Sequence, residues 1–184
     1  MALIEVKNLK KYFPVPSGTL HAVDNVTLSI EKGKTIGIVG ESGCGKSTLG
    51  KTLMRLHDAT SGEVFFNGTE IAGMKMKEFK KTYRAKIQMI FQDPYASLDP
   101  RMSISQLIEE PLKVLGTIRD KQELQKKVDE MMDLVGLAKR LRNTYPHELD
   151  GGRRQRIGIA RALSLNPEFI ICDEPVSALD VSKI

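Results

Sequence analysis

Apolar and polar residues alternate along the first part of the chain. The alternation runs through residues 3–13 and returns at residues 26–30. A period of two is typical of a strand with one buried face, so both segments are predicted as strands of an antiparallel β portion. Shorter apolar runs predict further strands at residues 35–39, 62–66 and 86–91.

The middle of the chain, between about residues 103 and 142, has a helical pattern instead. Asp120, with Glu123 three residues later, resembles a capping box in which Asp replaces Ser or Thr. The apolar positions that follow fall on one helical stripe, formed by Leu124, Val128, Met131, Met132 and Val135. Gly136 predicts the end of this helix, and the two methionines are expected to fill the core.

The last part of the chain predicts one more helix and one more strand. The helix begins near Asp150 and ends at Asn166, before Pro167, and the apolar residues 169–172 form a buried strand. Strands that alternate with helices are typical of an α/β fold. We therefore predict an α/β core with a mostly parallel sheet, an N-terminal antiparallel β subdomain and an inserted α-helical subdomain.

Length and composition fit a globular protein that stays in the cytosol. The chain has 184 residues, of which 41% are hydrophobic and 28% are charged, so one domain with a sizeable core is expected. No apolar run approaches the ~18 residues of a membrane span, and the N-terminus lacks the pattern of a signal peptide. Cys44 and Cys172 are the only cysteines. Two thiols make no disulfide framework, which favours a reducing compartment.

The formal net charge of +5 and the pI of about 9.2 leave two interpretations open. A basic surface can bind nucleic acid or an anionic membrane. It can also consist of ordinary solvated lysines. The basic residues are spread along the chain without a long block of one sign, which favours the second interpretation.

A glycine-rich segment at residues 40–47 matches the P-loop pattern G-x-x-x-x-G-K-[ST]. Its glycines let the backbone wrap closely, so that N–H groups point at phosphates. Lys46 would reach the β- and γ-phosphates, and the hydroxyl of Ser47 would bind Mg²⁺. A strand is predicted before the segment and a helix after it, which counts against a glycine-rich turn that matches by accident. The predicted ATP-binding residues here are Gly40, Glu41, Ser42, Gly43, Cys44, Gly45, Lys46, Ser47 and Thr48.

Two carboxylates follow the apolar strand at residues 169–172. Asp173, at the C-terminal end of a buried strand, can hold Mg²⁺ through water, and Glu174 can polarise an attacking water. Alone this pattern is weak, because many strands end in an acid. Together with the P-loop it predicts a catalytic role for Glu174 and a metal-binding role for Asp173.

These motifs and four others resemble the ATP-binding cassette (ABC) ATPases. Residues 149–156, with the sequence L-D-G-G-R-R-Q-R, are similar to the family's signature motif, usually L-S-G-G-Q. Gln92 matches the Q-loop glutamine, and Phe13, or with less support Tyr12, matches the aromatic residue that stacks on adenine. The D-loop is matched by Ser177, Ala178, Leu179 and Asp180.

The resemblance assigns roles to these residues. Gln92 joins Glu174 as a catalytic residue and joins Ser47 and Asp173 as a metal-binding residue. Two such subunits face each other head to tail, with each ATP between the P-loop of one and the signature of the other. The residues that would face the partner's ATP are Asp150, Gly151, Gly152 and Arg153.

A narrower resemblance concerns residues 91–102 and 145–149, which are similar to segments of oligopeptide, dipeptide and nickel importer ATPases. Asp99 stands where those proteins usually have Asn. The resemblance implies an ATP-hydrolysing motor subunit of an importer for peptides, bound peripherally to the cytoplasmic face of the membrane. It implies ATP and Mg²⁺ as cofactors, and a second ATPase subunit, either a copy or a homologue. It also implies membrane permease subunits and, indirectly, an extracytoplasmic substrate-binding protein; no nucleic acid is expected.

The resemblance also implies a domain organisation. Residues 1–184 would form a single nucleotide-binding domain, with an inserted helical subdomain at residues 94–145 that touches the permease. The family pattern continues past the D-loop with a helix, a strand and a histidine that senses the γ-phosphate. The domain is therefore expected to be incomplete at its C-terminus, Ile184.

Two residues of the signature depart from the family pattern. Asp150 replaces the serine whose hydroxyl donates to the γ-phosphate, and a carboxylate there cannot donate and repels phosphate. Arg153 replaces the glutamine. Asp is a good helix N-cap, and Arg153 is placed to pair with it one turn later. An impaired or non-catalytic nucleotide-binding remnant therefore stays an alternative, as does a cassette ATPase that acts on nucleic acid. The absence of sustained heptads and of cysteine pairs counts against the second alternative.

Overall fold

A computed structural model describes residues 2–174 of the chain. It divides into two compact units, with the boundary between Arg84 and Ala85. The predicted D-loop residues, Ser177, Ala178, Leu179 and Asp180, lie outside the described residues. Among the residues that are described, none of the helices combines the length and apolar character needed to cross a membrane.

The first unit is built on a four-stranded antiparallel sheet, in which the first strand lies between the second and the third, and the fourth pairs with the third. Its buried face includes Leu3, Ile4, Val6, Leu9, Val64 and Phe66. The alternating pattern therefore predicted the first strand and the last part of the second correctly, and the apolar run at residues 62–66 predicted the third; residues 18–25 of the second strand were not predicted. The elements of this unit are β1 (Ala2–Val15), β2 (Gly18–Glu31), α1 (Lys46–Leu53), β3 (Ser61–Phe66), β4 (Thr69–Glu70) and α2 (Met76–Thr82).

The prediction of a strand at residues 35–39 was wrong. This segment has no regular secondary structure and pairs with no strand of the described chain. Ile36 and Ile38 are exposed, and Val39 is 96% exposed. An apolar run becomes a buried strand only where neighbouring strands satisfy its backbone and cover its side chains. No described segment does this for residues 35–39.

The second unit contains a short parallel sheet. Its strands, β5 (Ile87–Ile90) and β6 (Phe169–Cys172), pair in register from Ile87 with Phe169 to Ile90 with Cys172. Lys86 fixes the start of this pair, because its carbonyl accepts from the amides of Glu168 and Phe169 and its ammonium lies 3.0 Å from the Glu168 carboxylate. The strands at these positions were predicted, but β6 is half-buried and ends at an exposed Cys172 rather than being fully buried.

Three helices supply the core of the second unit, and side chains fix where they begin and end. Ser103 and Gln106 form a capping box at the first of them. Asp120 Oδ1 accepts from the Glu123 amide at 2.8 Å, so Asp120 is the N-cap of the second helix, but the reciprocal bond that would complete the predicted capping box is absent from this helix start. Gly136 follows the same helix with a φ of 67°. The helical elements are α3 (Pro94–Ser97), α4 (Ile104–Val114), α5 (Lys121–Leu134), 3-10 helices at Lys139–Leu141 and Pro146–Glu148, and α6 (Gly151–Leu163).

The predicted apolar stripe of α5 lies in this core. Leu124, Val128, Met131 and Met132 are buried, and Val135 packs partly buried against the same cluster. The cluster also takes in buried residues of α4 and α6, namely Ile104, Leu107, Ile108, Ile157 and Ala160. Each fully buried aliphatic side chain contributes about 1.5–3 kcal/mol, so this cluster is what holds α6 and its N-terminus in place.

Candidate functional site

The predicted P-loop forms a tight turn that runs directly into α1. Gly43 and Gly45 have φ values of 81° and 97°, in the left-handed region that favours glycine. A Cβ on Gly45 would lie 2.0 Å from the carbonyl oxygen of Ala22. Ala22 is the extra residue of a bulge in β2, because Tyr12 pairs with His21 and Lys11 pairs with Val23. Glycine at position 45 is therefore required for the loop to pack against the sheet.

The start of α1 is arranged to receive an anion. Gly45 occupies the N-cap position, and within residues 2–174 no side chain caps this helix and no acidic residue lies in its first turn. The first amides of a helix lack intrahelical partners and carry a partial positive charge. Such an N-terminus, entered from a glycine-rich loop, is a favourable site for phosphate.

The side chain of Lys46 folds back into the P-loop. Its ammonium donates to the carbonyl oxygens of Gly40 and Glu41, each at 2.8 Å, and lies 3.8 Å from the sulfur of Cys44. A Cβ on Gly40 would come within 2.7 Å of that sulfur. The ammonium is therefore held at the centre of the turn, where a bound phosphate would meet it.

The two aromatic candidates for adenine stacking have different surroundings. The hydroxyl of Tyr12 donates to Asp24 at 2.5 Å, and its ring stacks on His21 with centroids 3.9 Å apart. The ring of Phe13 is half-buried; it meets the ring of His57 edge-on, with centroids 5.4 Å apart, and the ammonium of Lys11 lies 4.7 Å from its centroid. Since Tyr12 is already committed to a stack and a hydrogen bond, these surroundings favour Phe13 as the stacking residue.

Next to the P-loop, a cavity of about 410 Å³ opens within the first unit. It is lined by His21, Ala22, Val23, Asp24, Val26, Ile38, Val39, Cys44, Gly45, Lys46 and Leu49. Lys46 and Cys44 therefore share one space with His21 and Asp24 of β2. The sequence did not predict this, because the bulge at Ala22 that brings β2 against the loop has no recognisable sequence pattern.

Two predicted catalytic residues of the second unit are in direct contact. The side-chain amide of Gln92 donates to Glu174 Oε2 at 2.6 Å. The parallel pairing of β5 and β6 brings them together, because each follows the C-terminal end of one of these strands. The amide of Asp173 continues the pairing by donating to the Ile90 carbonyl at 2.9 Å. Glu174 has a φ of 46°, an uncommon conformation for a residue other than glycine and one that clusters at functional sites.

The predicted signature residues lie at the start of α6. Asp150 is the N-cap, and its Oδ1 accepts from the Arg153 amide at 2.7 Å. Its Oδ2 lies 3.5 Å from Arg153 Nε. Both local predictions, the N-cap and the ion pair, are therefore confirmed. The substitution keeps the geometry of the helix start while exchanging a hydroxyl for a carboxylate.

A second cavity, of about 320 Å³, opens beside this helix start. Its charged lining residues are Arg140, Asp150, Arg153 and Arg156. Gly152 also lines it, whereas Gly151 does not. Three guanidinium groups outnumber one carboxylate, so the cavity suits an anionic ligand. Sequence reasoning missed Arg140 and Arg156.

The sequence did not indicate either arginine as a cavity residue, for two different reasons. Arg156 is the last residue of the segment that resembles the signature, but the resemblance gave it no role; it donates to the carbonyl oxygens of Val135 and Gly136 at 3.4 and 3.2 Å. This contact holds the end of α5 beside the cavity. Arg140 reaches the cavity through the 3-10 helix at Lys139–Leu141, whose position no sequence pattern indicates.

A family profile described as ABC transporter matches residues 23–177. The oligopeptide transport ATP-binding protein OppF of Bacillus subtilis (strain 168) is 54% identical over 180 residues, which are 98% of this chain and 59% of that protein. OppF of Escherichia coli (strain K12) is 54% identical over 178 residues, 97% of this chain and 53% of that protein. The chain thus spans little more than half the length of these relatives.

Solved structures agree with the sequence comparisons. A dimeric ATP-binding cassette, MJ0796, in a post-hydrolysis state bound to ADP and Pi, has a TM-score of 0.89 and 32% identity. The match covers 97% of this chain and 77% of that chain. The cassette cbiO1 from Clostridium perfringens, part of an ABC transporter complex, has a TM-score of 0.79 and 28% identity over 97% of this chain and 68% of that chain. The predicted α/β fold is confirmed, and the chain belongs to the ABC transporter family of ATP-binding cassettes.

Proposed function

We propose that this protein is an ATP-hydrolysing motor subunit of an ABC importer for peptides. The observation that carries the proposal is the loop at residues 40–47, which closes on the uncapped start of α1 with Lys46 at its centre. Relatives with the name oligopeptide transport ATP-binding protein support the cargo class. The work of the subunit would take place at the cytoplasmic face of the membrane.

Binding of ATP follows from the first unit. The amides of the loop and of the first turn of α1 would hold the phosphate oxygens, and Lys46 would neutralise their charge. The carbonyls that now hold Lys46 keep its ammonium within the loop instead of letting it extend into solvent. Phe13 would stack on the adenine ring, which places the base at the end of β1.

Hydrolysis would depend on the pair in the second unit. Glu174 would accept a proton from the attacking water as a general base. The amide of Gln92 fixes the orientation of that carboxylate by donating to Oε2. A base held in one orientation contributes more to the rate than one that rotates freely, because its lone pair already points at the proton to be removed.

The chain also has residues that fit Mg²⁺, which prefers hard oxygen ligands. Ser47 supplies a hydroxyl, Asp173 a carboxylate and Gln92 an amide oxygen. Gln92 uses its nitrogen on Glu174, so its oxygen is the atom that can turn to a cation. When bound, Mg²⁺ would neutralise charge on the phosphate oxygens.

The second cavity and the relatives support the proposed partners. The positively charged space around Arg140, Arg153 and Arg156 fits the phosphate of an ATP held by a second cassette subunit, and the solved relative MJ0796 is dimeric. We further propose that residues 1–184 belong to one nucleotide-binding domain. Its helical part, at residues 94–145, would dock on membrane permease subunits that receive peptide from an extracytoplasmic binding protein.

Release of phosphate from MgATP tests this function directly. The protein should hydrolyse MgATP, faster when it is co-expressed with a peptide permease, and Lys46→Ala should abolish the activity. Lys51→Ala is the matched control, since Lys51 lies in the last turn of the same helix. Equal hydrolysis by wild type and Lys46→Ala would exclude the proposed function, and co-purification with nucleic acid instead of a permease would favour the alternative cassette.

A further inference from the structure

A buried arginine of α6 lies beneath an exposed aromatic ring of α3. Arg154 is 5% exposed, and its guanidinium carbon lies 3.6 Å from the centroid of the Tyr95 ring. Tyr95 itself is 65% exposed. A cation held this closely over a ring, and shielded from water on its other side, is in the favourable range of cation–π contacts.

The position of this guanidinium is fixed from a second direction. Arg154 Nε donates to the carbonyl oxygen of Pro146 at 2.6 Å, in the 3-10 helix just before α6. A buried charge needs such partners, because it has lost its hydration. The ring of Tyr95 therefore rests on a rigid group and not on a mobile side chain.

The other end of α3 is held by the same helix. Arg161 lies seven residues after Arg154, two turns along α6, and its Nη1 donates to the carbonyl of Ser97 at 2.6 Å. Burial lowers the pKa of Arg161 from its usual value. Two arginines of α6 thus hold the two ends of a helix only four residues long.

This short helix begins directly after Gln92. Asp93 is its N-cap and accepts from the Tyr95 amide at 2.7 Å. Gln92 comes one residue earlier and donates to Glu174. Asp93, the capping residue, is therefore the one residue between Gln92 and α3, and its hydrogen bond ties it to Tyr95.

We propose that Tyr95, seated on Arg154, is a positioning residue that fixes Gln92 against Glu174 during ATP hydrolysis. The inference rests on the proposed function, because it concerns the same pair of residues. The exposed ring of Tyr95 buries little apolar surface, so its contribution to folding is small. Its contact with Arg154 connects the helix that starts at Asp150 to the residue that orients Glu174.

Two substitutions at position 95 test this proposal. Tyr95→Leu removes the aromatic face, and Tyr95→Phe keeps it. We expect kcat for MgATP to fall about 3- to 10-fold in Tyr95→Leu and to stay within about twofold in Tyr95→Phe. The KM for ATP should stay within about twofold in both, since the phosphate-binding loop is unchanged. Equal kcat values in the two variants would overturn the proposal.

A second background separates positioning from a merely structural role. If Tyr95 acts through Gln92, Tyr95→Leu should cause no further loss of kcat in a protein that already carries Gln92→Ala. A structural role would instead lower kcat again and lower the melting temperature in both backgrounds. If Tyr95→Leu lowers kcat by the same factor in the Gln92→Ala protein as in the wild type, the proposal is wrong.

Hydrogen exchange provides a readout that does not need hydrolysis. The amides of residues 92, 93 and 95–98 should exchange faster in Tyr95→Leu than in Tyr95→Phe, because α3 has lost one of its two attachments to α6. Unchanged exchange overturns the inference even if the protein proves not to hydrolyse ATP. Lys46-dependent hydrolysis by the wild type tests the proposed function separately, so the two failures can be told apart.

Discussion

The amide of Gln92 and the carboxylate of Glu174 meet at 2.6 Å although 82 residues separate them along the chain. Their contact depends on the parallel register of β5 and β6, in which Ile90 lies opposite Cys172. Each residue follows its strand by two positions, so one pairing places both. A base and the group that orients it are thereby built onto the same edge of the sheet.

Replacing the base should separate binding from turnover. Glu174→Gln keeps the size of the side chain but cannot accept the proton of water. We expect hydrolysis of MgATP to fall by about 10²- to 10⁴-fold, the range typical of general-base catalysis, while ATP affinity stays within a few-fold. Single-turnover kinetics with equilibrium binding measures both quantities.

The neighbouring Glu168→Gln is the matched control for this change. Glu168 pairs with Lys86 at 3.0 Å at the opposite end of β6, and an exposed pair of this kind contributes little. Glu168→Gln should therefore leave turnover near the wild-type rate. If both variants lose turnover to a similar degree, the effect of Glu174→Gln arises from disturbance of the sheet and not from loss of the general base.

Lys46 should matter for nucleotide and not for folding. Its ammonium donates to exposed carbonyls of its own loop and lies near the exposed sulfur of Cys44, so Lys46→Ala should shift the melting temperature little. ATP affinity should fall at least about tenfold, because a charge-assisted contact with phosphate contributes roughly 1.5–3 kcal/mol. Titration calorimetry measures the affinity, and unchanged binding would mean that residues 40–47 hold no phosphate.

Structural features were predictable from the sequence where the interacting residues are close together along the chain. Asp150 as an N-cap and its ion pair with Arg153 were predictable, because capping acts over three residues of one helix. The glycine requirement at Gly45 was predictable from the P-loop pattern, although its contact with Ala22 was not. Local geometry follows from local sequence, and these features are local.

Features that depend on tertiary neighbours were predicted wrongly or were missed. Residues 35–39 have the composition of a buried strand, yet no described strand pairs with them. The contact between Tyr95 and Arg154 joins positions far apart in the sequence, and an arginine next to a glycine-rich motif reads as a surface residue. Its burial follows only from the packing of α3 on α6.

The two cysteines should differ in their response to nucleotide. Cys44 is exposed in the loop, 3.8 Å from the Lys46 ammonium, so MgATP should protect it from alkylation. Cys172 also reaches the surface, but partial burial of its sulfur raises the pKa of the thiol. It should react more slowly, because the thiolate is the nucleophile. Mass spectrometry of each labelled peptide, with and without MgATP, gives both rates, and equal protection of both would contradict the assignment.

Protonation of His57 should destabilise the protein at mildly acidic pH. Burial, followed by the charges of Lys11 and Lys51, lowers the pKa of His57 from its usual 6.5. The folded state therefore favours neutral His57, and the unfolded chain binds a proton more readily. The stability that this group contributes is complete above about pH 6.5 and is lost as the pH falls through the folded-state pKa.

Thermal melts between pH 7.5 and 5.5 measure this effect as a difference between proteins. The melting temperature of His57→Asn should fall less over this interval than that of the wild type. Identical slopes for wild type and His57→Asn would show that neither burial nor the charges of Lys11 and Lys51 lower the pKa of His57 in the folded state.

The signature substitution should act on the partner's nucleotide. Asp150 caps α6 in its own chain, and serine is an equally good cap, so Asp150→Ser should leave the fold and the affinity of the monomer for ATP unchanged. In a head-to-tail dimer it would remove a negative charge that faces phosphate and restore a donor. Three arginines share this cavity with Asp150, so the variant also becomes more attractive to an anion.

A cross-complementation assay tests whether position 150 faces the partner. One subunit carries Asp150→Ser together with Lys46→Ala, and the other carries neither substitution, so the single intact P-loop faces serine. The reverse arrangement places the intact P-loop opposite Asp150. Removal of about 1.4 kcal/mol of repulsion corresponds to tenfold in rate, and we expect at least about that difference in favour of the first mixture. Equal turnover in the two mixtures would show that Asp150 does not face the nucleotide of the second subunit, and the head-to-tail arrangement would then be wrong for this protein.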